Sequence, residues 1–144
     1  MNRRDALMNS GAVLLASASA SALSQEQDHS KMQHGGINQS LIAAANDCVV
    51  KGQACLAHCL VLLADGDKTM GSCAKLASQM LAVCGTLQNL ASQQSPLVPA
   101  LARVALEACQ QCEQECSKHK DKHAECKACM ESCQNCVKQC KAIA

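Results

Sequence analysis

From about residue 38 to the C-terminus, small and apolar residues recur at alternating steps of three and four. That spacing keeps a stripe on one face of a helix, and no stretch alternates at the period of two that a strand requires. The first stripe is Ala45, Cys48, Gly52, Cys55, Cys59 and Leu62. A second runs Met70, Cys73, Ala77, Met80, Cys84, Leu87 and Ala91, and a third Val98, Ala102, Ala105, Cys109, Cys112, Cys116 and His119. The last is Cys126, Cys129, Cys133, Cys136, Cys140 and Ile143. Breakers separate them: Asp65-Gly66-Asp67, then Ser95-Pro96 with Pro99 opening the next helix, then the polar run Lys118 to Lys122. Four helical segments with short connections predict an all-α fold, an antiparallel up-down-up-down four-helix bundle.

The seams are made largely of cysteine. All 13 lie after residue 47, and every one falls on a seam position. The chain has no Phe, Tyr or Trp, and Leu, Ile and Val together make 27 of its 144 residues. That share is below the roughly 20% associated with disorder, yet the net charge of only +1 is not that of a disordered chain. Cysteine is therefore the expected filler of the core, and the bundle is predicted to be Cys-lined.

Residues 1–22 read as an export signal. Arg3 and Arg4 supply the charged start, Gly11 to Ala16 an apolar run, and Ala20-Ser21-Ala22 a small-residue cleavage site. The paired arginines suggest the twin-arginine route, hence an exported, periplasmic protein. Residues 23–37 read as a flexible tail and 38–144 as the bundle. Removing 1–22 leaves eleven basic and eleven acidic side chains, so no electrostatic footprint for nucleic acid or an anionic membrane is expected. The signal's apolar core is too short to span a bilayer, and no other segment reads as apolar enough to cross one.

Two states of the thiols compete. A short exported chain with this much cysteine ordinarily carries disulfides. Against that, seam neighbours on one helix have Cβ atoms about 5–6 Å apart, while a disulfide wants about 3.5–4.5 Å. The count is odd, leaving one thiol over. A disulfide-stapled structural bundle stays open as the alternative. Free thiols on inward seams make a soft-metal site, and thiolates select Cu(I), Zn(II) or iron–sulfur clusters. A zinc ion with four thiolates keeps a net charge of about −2, and the seams offer no Lys or Arg to balance it. Monovalent Cu(I), bridged between thiolates, approaches one ion per thiolate and leaves the core neutral. Cu(I) is the expected cargo, many ions per chain; zinc or another soft metal is the second reading.

This arrangement, densest in "CKACMESCQNCVKQC" at 126–140, resembles the bacterial copper storage proteins over roughly residues 38–144. The resemblance implies a homotetramer of bundles, each core binding many Cu(I) ions through the thiolates of Cys48, Cys55, Cys59, Cys73, Cys84, Cys109, Cys112, Cys116, Cys126, Cys129, Cys133, Cys136 and Cys140. It also implies an exported store, in methane-oxidising bacteria supplying a copper enzyme.

Antiparallel sorting gives the bundle two unlike ends. Leu41, Ala45, Leu87, Leu90, Leu101, Val104 and Ile143 collect at one as a dry aliphatic plug. Cys59, Leu62, Met70, Cys73, Cys116, His119, His123 and Cys126 collect at the other, with His58 beside the seam. Imidazole and thioether are both workable Cu(I) ligands. His58 and Met70 match the type of mouth residue that copper storage proteins use and are carried over as metal residues. Solvated-loop roles for His119 and His123, plain packing for Met80, and a polar tail for His29, Met32 and His34 are the expectations. A catalytic CxxC sits where a helix dipole activates one thiol; here Cys109/Cys112, Cys126/Cys129 and Cys133/Cys136 merely recur along seams. No enzymatic activity is expected.

Overall fold

The computed structural model describes residues 36–144. The expected signal, 1–22, and most of the expected tail, 23–35, lie outside the described residues. Helix α1 spans Gly36–Ala64, α2 Gly71–Ser92, α3 Val98–Ser117 and α4 Ala124–Lys141, with a short 3-10 turn at Lys68–Met70 between the first two. Among the described residues there is no strand. Each helix packs on two neighbours: α1 on α2 and α4, α3 on α2 and α4. Backbones of the diagonal pairs stay apart, which leaves a square with one central seam.

The breakers work as their chemistry dictates. Gly66, at φ 97°, closes α1 in a left-handed residue. Its N–H reaches the Leu63 carbonyl at 3.1 Å and that of Asp67 reaches Leu62 at 2.9 Å, the paired bonds of a Schellman cap. The Asp67 carboxylate then accepts from the Thr69 N–H at 3.0 Å and starts the 3-10 turn. The same cap ends α2, where the N–H groups of Ser95 and Gln94 bond the carbonyls of Leu90 and Ala91. There a glutamine, not a glycine, holds the positive φ of 54°. Pro99 stands in the first turn of α3. Glu125 in the first turn of α4, and Lys138 and Lys141 in its last, complement the helix dipole.

The seams point inward. All 13 cysteines, with Met70, Ala77, Met80 and Leu87, are fully or almost fully buried. Ser132, bonded to the Cys129 carbonyl at 2.8 Å, is the one polar or charged residue in the described core. Leu62, His119 and Ile143, at the seam ends, are half-buried.

Two expectations are corrected. Val104 is 51% exposed and does not join the plug, because it stands one position from the seam residue Ala105 and so turns about 100° away from it. Leu41, Ala45 and Leu87 are buried at that end as the sequence predicts, and Ala91, Val98 and Ala102 join them. Second, Asn38–Ala64 is long and apolar enough to cross a membrane by length and composition, which the reading of the sequence had denied to any segment beyond the signal. Ala and Cys both count as apolar in that stretch, and 22% of its apolar 18-residue window is buried in the bundle.

Candidate metal centre

The core of the bundle is a continuous body of sulfur. Cysteines recur a turn apart along α3 and α4 and more sparsely along α1 and α2, and side chains from diagonal helices meet across the seam. Cys55 Sγ of α1 lies 3.9 Å from Cys116 of α3, and Cys73 of α2 lies 3.9 Å from Cys126 of α4. Cys73 and Cys116 are 3.6 Å apart, Cys84 and Cys109 3.5 Å, and Cys112 and Cys129 3.7 Å. All thirteen thiols are free. These separations far exceed the roughly 2.05 Å of a disulfide bond, so the sulfurs touch as neighbours, not as bonded pairs.

Four sets have every ligand sulfur within 4.8 Å of the others: Cys48, Cys84, Cys109 and Cys136; Cys55, Cys59, Cys73 and Cys126; Cys55, Cys116 and Cys129; Cys112, Cys129 and Cys133. Cys140, outside the sets, lies 3.9 Å from Cys136. With a metal–thiolate bond of about 2.3 Å, a trigonal ion sets its sulfurs about 4.0 Å apart and a linear one about 4.6 Å. The sets already have that size. Cys55 and Cys129 each belong to two of them, so adjacent ions would share thiolates as bridges.

Charge decides what such a core can hold. No Lys or Arg is buried among the described residues. A buried, uncompensated charge costs several kcal/mol even after relaxation, so the thiolates can form in number only as each gains a cation. The metal-free thiols share their protons unevenly. Hydrogen bonds from Cys109, Cys133, Cys136 and Cys84 pull Cys48 down, and those from Cys112, Cys116, Cys133 and Cys55 pull Cys129 down. Burial, followed by the neighbouring thiols, pushes Cys59 up.

The open end is built around Met70, Cys73, Cys126 and three histidines. His58 Nε2 and His123 Nδ1 are 2.9 Å apart. His58 Nδ1 also faces Glu125 at 3.8 Å, and His119 Nε2 faces Glu115 at 3.7 Å. His119 Nε2 is buried without a hydrogen-bond partner. His119 and His123 therefore differ from the solvated loop expected of them: both are half-buried and gathered with His58. Met70 is fully buried just before α2. Glu115 and Glu125 went unnoticed in the sequence, although Glu115 is four residues before His119, one helical turn away on the same face.

Cys73 and Cys126 each stand third in their helix, at the positive N-terminal ends of α2 and α4. Thiol hydrogen bonds, with Cys116 first, pull both below the ordinary thiol range. Its place in the first turn of α4 marks Cys126 off from the other CxxC cysteines, although Cys129 of the same pair is pulled down as well. The Cys126 sulfur is nevertheless fully buried and meets Cys55 and Cys73, where a disulfide substrate has no access.

Met80, mid-seam, is fully buried, as packing predicts. A surface hollow of about 410 Å³ beside Asn38, Ile42, Ala91 and Gln94 lies at the aliphatic end and includes no cysteine. The site is thus the packed core itself and not a cleft.

The family model described as "Copper storage protein" matches residues 32–144. Two solved structures are similar in fold. One is "Cu(I)-bound Copper Storage Protein BsCsp3", with a TM-score of 0.67 and 24% identity over 75% of this chain and 98% of that one. The other is the apo form of copper storage protein 3 from Bacillus subtilis, with a TM-score of 0.65 and 26% identity over 74% of this chain and 98% of that one. No curated protein matches the sequence significantly.

Proposed function

This chain belongs to the copper storage protein family, and from that premise we propose that its core takes up many Cu(I) ions per chain, approaching one per thiol, as a store for copper enzymes. The observation that carries the reading is the set of overlapping sulfur groups sharing Cys55 and Cys129 inside a core without cations. Each ion that binds releases a thiol proton, so the filled core has one positive ion for each negative sulfur. The role is storage and not catalysis.

The ions enter at the His/Met end and not through the aliphatic plug. His58, His123 and the unpartnered Nε2 of His119 offer nitrogen donors, and Met70 a thioether, ahead of Cys59, Cys73 and Cys126. We extend the proposal to an exported, periplasmic store, supported by the Arg3-Arg4 start and the Ala20-Ser21-Ala22 site. The exposed apolar side chains of α1, Val50, Leu60 and Val61, support a homo-oligomer, a tetramer by family resemblance.

The test is a titration of reduced protein with Cu(I) against a competing chelator, with free thiols counted before and after. Uptake approaching one Cu(I) per thiol is expected. Saturation at one or two ions per chain would reject storage, and a low thiol count in freshly purified protein would favour the disulfide-stapled bundle.

A further inference from the structure

The ladder of thiols is uneven between the two halves of the bundle. On α4 the cysteines climb without a break from Cys126 to Cys140, and on α3 from Cys116 to Cys109. On α1 the rung between Cys55 and Cys48 is Gly52; on α2 the rungs between Cys73 and Cys84 are Ala77 and Met80. All three of these residues are buried. A Cβ on Gly52 would lie 2.5 Å from Met80 Cε. The Met80 side chain therefore reaches across to α1 and occupies the space that a side chain there would need.

The sulfur sets respect this division. Cys48, Cys84, Cys109 and Cys136, with Cys140 beside them, lie toward the aliphatic end. The two sets that share Cys55 lie toward the histidines. Between them stands the set Cys112, Cys129 and Cys133, drawn from α3 and α4 alone. Cys112 and Cys129 face the open end, since Cys112 is 3.9 Å from Cys116 and Cys129 shares a set with Cys55. Cys133 faces both ways: it closes the set with Cys112 and Cys129 on one side, and its place on α4 between Cys129 and Cys136 sets it one turn from the deep set on the other.

We propose that the core is two copper compartments in series, divided by Met80 against Gly52 and joined through Cys133, which hands Cu(I) from the mouthward thiols to the deep ones. The idea rests on the storage reading above. The transfer is ligand exchange without a change of oxidation state. A bond from copper to the incoming sulfur forms as the bond to the outgoing sulfur breaks, and the proton of the incoming thiol passes to the sulfur left behind. On the α1–α2 side the same step would have to cross a rung of alkyl groups and one thioether.

Stopped-flow uptake by the reduced full chain, with Cu(I) presented as a chromophoric chelate, tests this. Wild type should fill in two phases, the slower one belonging to the deep set. Cys133→Ser should leave the fast phase in place and slow the second by at least about tenfold, about 1.4 kcal/mol of barrier. Cys136→Ser removes one deep thiol without cutting the crossing, so it should lower capacity and leave the second rate nearly unchanged. Met80→Cys puts a thiol on the dividing rung of α2, with Ala77 the one gap left in that ladder, and should merge the two phases, an effect opposite in sign that decides the matter even if Cys133→Ser folds poorly. A single phase in wild type, equal effects from the two serine variants, or unchanged phases in Met80→Cys would overturn the compartments while copper is still stored. No uptake at all would instead bring down the storage reading itself.

Discussion

Nε2 of His58, near the end of α1, lies 2.9 Å from Nδ1 of His123, the residue that precedes α4. One ring donates and the other accepts, so the pair closes a bridge over the open end of the thiol core. Copper arriving there meets imidazole nitrogens before it meets sulfur. Replacing His58 and Met70 with alanine should therefore change the rate of copper uptake or removal by about tenfold, ~1.4 kcal/mol, with capacity almost unchanged. Replacing Cys133 and Cys136 together should lower capacity and spare the initial rate. Equal kinetic effects from both pairs would show that ions enter through the side of the bundle.

Metal choice follows from charge. Zinc with four thiolates uses about four sulfurs per ion and leaves a net charge near −2 in a core without cations. Reduced protein should bind fewer Zn(II) than Cu(I), at most about one per four thiols, and one equivalent of Cu(I) per thiol should displace all of it. Zinc that survives that challenge, followed by elemental analysis, would contradict the assignment of cargo.

Copper binding should weaken as pH falls, because every thiol that coordinates must lose a proton. Burial holds Cys59 above its ordinary value of 9.0, so at neutral pH its proton has to be displaced by the ion. The expected loss of affinity is about tenfold per pH unit for each proton displaced, read by chelator competition across pH 5 to 8. The metal-free protein shows the opposite sign for this group. The folded state keeps the Cys59 proton where the unfolded chain loses it, so its contribution is full below pH 9.0 and fades as the pH rises further. Binding that strengthened on acidification would contradict thiolate ligation.

Gly52→Ala sets two effects against each other. Alanine is better than glycine inside a helix by about 1 kcal/mol, but its Cβ would lie 2.5 Å from Met80 Cε and 3.0 Å from Leu81 Cδ2. Overpacking of this kind costs about 1–3 kcal/mol, so the variant should be destabilised by up to about 2 kcal/mol in urea unfolding. The penalty should shrink in a Met80→Ala background, because the closest colliding atom is then gone and only Leu81 remains near. A stabilised Gly52→Ala would mean that Met80 swings aside freely.

The outer face of α1 should be an interface. Val50, Leu60 and Val61 are 53%, 54% and 60% exposed. In a monomer, Val61→Glu would change stability within about 0.5 kcal/mol. On an interface it should split the oligomer, seen as a fall in mass by light scattering at micromolar concentration. A wild-type monomer under the same conditions would leave these side chains as single exposed apolar residues, which an ordinary protein surface carries.

The seam periodicity alone determined the four helices, their breakers and the inward placement of all thirteen cysteines. A step of three and four is a statement about direction around one helix axis, and Cys, Ala and Met at those steps leave the polar residues on the other side. The same pattern carried the separation of an aliphatic end from a His/Met end, because antiparallel order follows from short loops. Which residues meet at one height was decided only by the tertiary structure, since height depends on how far each helix slides against its neighbours and on how each cap turns the chain. That is why Cys55 finds Cys116, why Met80 lies against Gly52, and why His58 reaches His123 from a helix 65 positions away. Val104 faces outward for the other reason: it stands one position, about 100°, from the seam residue Ala105 on its own helix. Periodicity assigns a residue its side of the helix, and packing alone sets which sulfurs stand close enough to share an ion.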